Sequence, residues 1–379
     1  RDSLEKQTAY FNDEESWIIG RVTSYSQQNF SDGEAGTMLF ENYQYTGANI
    51  TSKVTKRNGK TWLTESYTYA PTGNVLSHTR TADGEKRIEY VSYDNKFLHK
   101  TLYTDAEGYS TEYTYDNATG LLTSQNGADG IIKKYEYDKT GRQYYWEAPY
   151  DGCVSVLRWN LSMKNAPQHT RYFSYEQRWG KSPEIVFFDK LGRKLREVKK
   201  VFGGREVYTD RQYNDRGEQI KLSKPYFSDT TPVYATFEYD DCGRLIRENY
   251  PDGTNRQFSY ESMGMDGEKI VETKRLGQKT TRYNDFRGRT YKTVDNLGGI
   301  VEYTFDADGN CTSVAGPRTS VTMEYDDAGR RTRMTDSDCG TYRFEYNGFG
   351  EPTFQLHETS YMGVITEYDA VGRVVRRED

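Results

Sequence analysis

The sequence predicts an all-β protein: a long antiparallel β-hairpin ribbon built from units of about 21 residues. Three observations lead there. Aromatic residues are plentiful while aliphatic ones are scarce. One turn motif recurs along most of the chain. Between the turns, apolar and polar residues alternate with period two.

Hydrophobic residues make up 34% of the 379, and 15% are aromatic, with 34 Tyr, 16 Phe and 5 Trp. That leaves about 18% aliphatic, in a chain whose hydrophobic total falls short of the roughly 45–50% usual for globular proteins. So little Leu, Ile and Val cannot build a helical bundle or a doubly wound α/β core. So many rings do not belong to a solvated coil. Tyr suits a pleated surface with one wet face, where the ring packs and the hydroxyl stays hydrogen-bonded.

Taken in order, residues 1–60 carry strand signals (Trp17–Val22, Tyr43, Tyr45) that fit the repeat poorly and read as irregular N-terminal strands continuous with the rest. Residues 61–379 read as the repeat sheet. Its motif is an aromatic, then Asp or Asn, two residues, then Gly: Tyr137-Asp138…Gly141, Phe188-Asp189…Gly192, Tyr213-Asn214…Gly217, Tyr239-Asp240…Gly243, Phe305-Asp306…Gly309, Tyr325-Asp326…Gly329, Tyr346-Asn347…Gly350 and Tyr368-Asp369…Gly372. Tyr69-Ala70…Gly73 is a variant, and Tyr115-Asp116…Gly120 and Tyr283-Asn284…Gly288 each read as carrying one extra residue. Residues 150–185 break the period, with Trp159, Met163 and Trp179, and read as an irregular insertion. Trp159 and Trp179 are candidate partner contacts, because Trp is enriched at binding hot spots.

The motif has a physical cause. Asp or Asn at the first position of a type I turn accepts a hydrogen bond from the backbone two residues on. Gly at the fourth supplies the left-handed conformation the hairpin needs. Gly243, Gly329 and Gly372 are therefore expected to have positive φ. Second turn signals fall halfway between, at Asp83-Gly84, Asp129-Gly130, Asp252-Gly253 and Gly298-Gly299 among others. The strands alternate: Tyr342, Phe344 and Tyr346 against Arg343 and Glu345; Val301, Tyr303 and Phe305 against Glu302 and Thr304.

Arg follows the motif glycine at Arg142, Arg193, Arg244, Arg289, Arg330 and Arg373. The unit Tyr239-Asp240-Asp241-Cys242-Gly243-Arg244-Leu245 resembles the YD repeat of the RHS/YD-repeat proteins, and the likeness covers about residues 60–379. The resemblance implies a hairpin ribbon that spirals into part of a hollow shell, enclosing a C-terminal toxin in bacterial members and standing on the cell surface in teneurin-like ones. It implies a secreted or cell-surface location and, as partners, the rest of a parent polypeptide, both shell and cargo. The family's sealing and self-cleaving core contains an Asp-Pro step, and none of the nine Pro here follows Asp. With an N-terminus lacking an initiator Met and a signal peptide, the chain reads as an internal stretch of shell.

Other function classes find little purchase. With 51 basic and 57 acidic residues the net charge is −6, against the basic stripe a nucleic-acid binder needs. The basic run from Lys190 to Lys200 is interrupted by Glu197 and reads as a wet strand face. No apolar run is long enough for a membrane span. His357-Glu358 lacks the second zinc-protease histidine; Gly59-Lys60-Thr61 and Gly180-Lys181-Ser182 lack the earlier P-loop glycine; Asp306-Ala307-Asp308-Gly309 lacks the twelfth-position calcium ligand. We expect no catalytic, metal or cofactor site. Cys242 and Cys339 are expected not to pair, lying in turns of opposite sheet edges. The leading reading is a non-catalytic shell module; a glycan-binding or adhesion module with a cell-surface receptor is the alternative, and a hydrolase with an unrecognised carboxylate pair the third.

Overall fold

The structure is a computed structural model describing residues 3–15, 17–148, 153–159, 165–178, 180–264 and 267–379. By internal contacts it divides into two units, Arg1–Ser110 with Thr290–Thr293 and Gly298–Asp379, and Thr111–Arg289 with Val294–Leu297. Among the described residues there are 34 strands, and a 3-10 turn at Phe202–Gly204. No helix there is long and apolar enough to cross a membrane.

In each unit the strands pair antiparallel with their sequence neighbours. In the first unit one run goes from Ser3–Asp13, paired with Ile18–Ser31, to Glu85–Tyr93, paired with Lys100–Thr104. A second runs from Ile300–Phe305 to Val374–Glu378. The second unit is a meander of the same kind, with one departure. The short strand Tyr226–Phe227 folds back onto Glu206–Tyr213, while Gln219–Ser223 pairs with Tyr234–Tyr239.

The expected turn geometry holds. Gly243, Gly329 and Gly372 have φ of 80°, 72° and 85°. In the Asp240 turn the Gly243 N–H donates to the Asp240 carbonyl (3.0 Å) and the Asp240 N–H to the Arg244 carbonyl (2.9 Å). This is a three-residue hairpin loop, a type I turn closed by a left-handed glycine. The register slips at the motif aromatic at Tyr137, Tyr239, Tyr325 and Tyr368 among others. The bulge adds a residue to one strand and raises local twist. One motif copy is shifted: the loop after Tyr283 starts at Asp285, not Asn284, with Asp285 N–H bonded to the Arg289 carbonyl (2.9 Å). It therefore has ordinary length, because Asn284 still pairs in its strand with Glu268.

The alternation also holds. In Gly340–Tyr346, Tyr342, Phe344 and Tyr346 are half-buried while Arg343 and Glu345 are exposed. Few side chains are buried outright. The main cluster, in the second unit, is Phe173, Phe187, Val198 and Tyr208, with Ala166 and Tyr226 packed against it. It lies on four successive strands between Tyr172 and Tyr213. Here Phe173, Phe187 and Val198 join Tyr208, and Ala166 and Tyr226 pack against them. Within residues 150–185, Cys153–Trp159, Tyr172–Gln177 and Glu184–Phe188 are strands of the meander.

Candidate functional site

The recurrent chemical unit is the turn itself. Asp240 accepts through Oδ1 from the backbone N–H of Cys242 (3.0 Å) and Arg244 (2.8 Å), and through Oδ2 from Arg244 Nε (2.7 Å). Those donors, the Arg244 backbone N–H foremost, hold its carboxyl below the usual range. The same Arg Nε to Asp Oδ2 bond recurs at 138/142, 189/193, 285/289, 326/330 and 369/373, all at 2.6–2.8 Å.

Each turn also grips the next hairpin. The guanidinium carbons of Arg193 and Arg330 sit 4.8 Å from the ring centroids of Tyr213 and Tyr346. Those Tyr hydroxyls donate to the carbonyls of Lys194 (3.0 Å) and Arg331 (2.9 Å), two residues past the preceding motif glycine. Tyr239, Tyr325 and Tyr368 do the same to Gln219, Cys311 and Pro352. Burial pushes the Tyr239, Tyr325 and Tyr346 phenols above their ordinary range, so they remain donors. The motif thus reads: Asp closes its own turn, Arg pairs with that Asp and covers the next Tyr, and that Tyr returns a hydrogen bond.

Three of the motif copies without Arg keep the logic by exchanging partners. Asn214 and Asn347 are followed across the loop by Glu218 and Glu351, and each Asn Nδ2 donates to its Glu Oε2 at 2.6 Å. Asp306 faces Asn310 Nδ2 at 2.8 Å. Acidic meets basic or amide, and amide meets acidic, so no carboxylate faces another. This pairing is visible in the sequence as the identity of the residue after the glycine, and reading the motif as Asp or Asn alone misses it.

Sequence reasoning also missed a seam within the first unit, where motif turns of residues 306–373 dock on the alternate turns of residues 29–107. Asp308 accepts from the Thr37 backbone N–H (2.7 Å) and Asn29 Nδ2 (3.1 Å). Asp327 Oδ1 accepts from Asn58 Nδ2 (2.8 Å), and Arg330 also lies over the Trp62 ring, 4.7 Å from its centroid. Glu351 takes both Arg87 nitrogens (2.7 and 2.6 Å), with the Arg87 guanidinium 3.9 Å from the Phe349 centroid. The Ala370 N–H donates to Glu107. Gly348 is needed for the approach, since a Cβ there would lie 2.8 Å from Ala82. These hydrogen-bonded partners are 263 to 279 residues apart in sequence.

The arrangement holds strands together and offers little to a reacting substrate. The motif carboxylates have their lone pairs engaged by backbone and Arg donors. Among the described residues no group of three or more His, Cys, Asp or Glu is placed to hold a metal. Cys242 and Cys339 are both free and exposed. Of the candidate partner contacts, Trp179 lies outside the described residues. The backbone of Trp159 pairs with Tyr172, and its side chain lies outside them too.

Residues 305–338, which include the 306–310 and 326–330 turns, match the family model RHS Repeat. The chain is 29% identical over 117 residues to the double-stranded DNA deaminase toxin A of Burkholderia cenocepacia, covering 31% of this chain and 8% of that protein. It is 31% identical over 124 residues to the toxin protein Tse5 of Pseudomonas aeruginosa, covering 26% of this chain and 9% of that protein. The chain thus spans under a tenth of either relative. The crystal structure of TcdB2-TccC3 without its hypervariable C-terminal region superposes with a TM-score of 0.76 over 99% of this chain and 29% of that one, at 12% identity. The fold is therefore that of the TcdB2-TccC3 chain over the aligned stretch.

Proposed function

We propose that this chain is a stretch of wall in a YD-repeat shell that encloses a C-terminal, toxin-like cargo within a larger secreted or surface protein. Its work is structural, and its partners are the remaining shell and the cargo. The observation that carries this reading is the seam of the first unit. A ribbon whose motif turns dock on its own alternate turns some 263 to 279 residues earlier is winding on itself, as a wall must. The small number of buried residues supports a single-layer wall over a packed core. The toxin relatives, matched over under a tenth of their length, supply the kind of polypeptide in which such a wall serves.

Glycan stacking is less well supported by the same geometry. Sugars need open ring faces, and Arg193, Arg244 and Arg330 lie over Tyr213, Tyr260 and Tyr346. The test is limited proteolysis of the full-length parent protein. A C-terminal segment that resists protease while the shell is intact, and is digested once mild denaturant opens it, fits the proposal. A C-terminal segment cut at the same rate in both conditions refutes it.

A further inference from the structure

One motif turn of the second unit is set apart by what lies against it. The connection 165–171 packs beside the Asp189 turn, and the Asp189 carboxylate, at 6% side-chain exposure, is the most buried of the six Asp–Arg turn pairs. That connection is pinned. The Arg171 N–H donates to the Phe188 carbonyl (2.7 Å), Thr170 Oγ1 to the Pro167 carbonyl (2.7 Å), and Arg196 Nη1 to the Asn165 carbonyl (2.9 Å). Asn165 and His169 are held at φ of 76° and 69°, left-handed conformations that are costly for a residue with a side chain and that gather at ligand clamps. Between connection and turn are two adjoining cavities of about 440 and 740 Å³, which share His169, Asp189, Arg193 and Tyr213. Small-molecule sites run from about 300 to 1,000 Å³.

The arginine of this turn is unspent. Asp189 takes Arg193 Nε (2.6 Å), but neither terminal nitrogen of Arg193 has a hydrogen-bond partner among the described residues. In other turns those nitrogens are used: Arg244 Nη1 on Glu268 (2.8 Å), Arg330 Nη1 on the Asn347 carbonyl (2.9 Å). Arg171 and Lys190 line the larger cavity with Arg193, and neither side chain has an ion pair among the described residues. Asp189 does not cancel them, because its oxygens are occupied by the N–H groups of Leu191 (2.8 Å) and Arg193 (3.0 Å) and by Arg193 Nε. The other acid of the lining, Asp215, has no partner among the described residues. We propose that this cleft binds a small hydroxylated phosphomonoester, such as a sugar phosphate. The terminal nitrogens of Arg193 form the fork that suits phosphate oxygens, with Arg171 and Lys190 meeting the second charge of the dianion. Asp215 accepts from the ligand's hydroxyls. This site goes beyond the wall reading above and does not depend on it: an enclosing wall needs no cleft of its own.

The experiment is calorimetric titration of the full-length parent protein with ribose 5-phosphate, and separately with ribose and with inorganic phosphate. Ribose 5-phosphate should bind once per chain and more weakly as salt rises, phosphate should bind more weakly still, and ribose should give no heat. Arg193→Gln should weaken binding by about tenfold or more, the loss expected of a charged hydrogen bond. Because that change also loosens the turn, Arg171→Gln with Lys190→Gln serves as the second variant. Both residues are exposed, the turn keeps its Asp189–Arg193 pair, and the same direction of loss is expected. Arg142→Gln, which removes the equivalent pair from a turn outside the cleft, should leave binding unchanged. Asp215→Asn should narrow the gap between ribose 5-phosphate and phosphate. No heat at millimolar ribose 5-phosphate overturns the proposal. So does binding that survives both the Arg193 and the Arg171/Lys190 changes, an equal loss in Arg142→Gln, or ribose binding as well as its phosphate. Cargo protection in the proteolysis above is unaffected by any of these results, so the two readings fail separately.

Discussion

Arg87 and Glu351 make the strongest test of the seam. Their two hydrogen bonds are 2.7 and 2.6 Å, with side-chain exposures of only 8% and 17%. Removing one partner of a buried pair costs about 3–5 kcal/mol, and we take about 3 because Glu351 keeps some water and its Asn347 donor. Arg87→Met keeps the packing against Phe349 but loses both charged bonds. The Thr37 and Ala370 amides donate across the seam and report its opening. Their hydrogen exchange should quicken by roughly a hundredfold, since about 1.4 kcal/mol is a factor of ten. Arg142→Met, which removes a within-turn pair of the second unit whose Arg is 50% exposed, should change their exchange by less than about fivefold. Equal effects from the two variants, or unchanged Thr37 and Ala370 exchange in Arg87→Met, would refute the reasoning. The pair also has a pH signature. Its Arg87 hydrogen bond lowers the Glu351 pKa from 4.5, so the stabilisation is present above that value and is lost as pH falls through the depressed one. Thr37 and Ala370 should stay protected at pH 5 and lose protection only in stronger acid.

Further outcomes follow from the turn. Asn214→Asp places a carboxylate against Glu218 and should destabilise its hairpin by about 1 kcal/mol; adding Glu218→Arg should restore it, read by denaturant midpoint. Gly329→Val should cost about 1–2 kcal/mol at φ 72°, with its Cβ 3.1 Å from Asn310 Oδ1; a melting temperature within a degree of the parent would count against the turn assignment. Tyr346→Phe loses the bond to the Arg331 carbonyl and should cost about 1 kcal/mol by chemical denaturation, whereas no change would make the ring alone responsible. Cys242 and Cys339 should both label with maleimide without reduction, and a bridge between them in a mass spectrum would contradict the strand arrangement.

Legibility in the sequence tracked the range of the interaction. Asp240, Gly243 and Arg244 lie within five residues, and their hydrogen bonds are local, so the motif announced the hairpin and the sign of φ. The half-buried Tyr342, Phe344 and Tyr346 were legible for the same reason: period two is a property of one strand. The Asn284 shift shows the limit, since choosing between Asn284 and the neighbouring Asp285 as turn residue depends on which of them the Gly267–Glu268 side of the sheet holds. The strands at Cys153–Trp159 and Tyr172–Gln177 carry no motif, so nothing local in the sequence marked them as members of the meander.

The sequence by itself determined the hairpin unit, its turn chemistry, the facing of each strand and the likeness to the RHS family. All of these depend on residues within about one repeat of each other. Only the tertiary structure decided that Arg87 meets Glu351, that Asp308 caps Thr37, and that alternate turns receive motif turns. Those pairings depend on strand twist, about −20 to −25° per strand with wide scatter, accumulated over some 263 to 279 residues. A small change in any one bulge moves the docking point by a whole residue. No local pattern can carry that sum, and the folded chain resolves it by matching each tip to the edge it reaches.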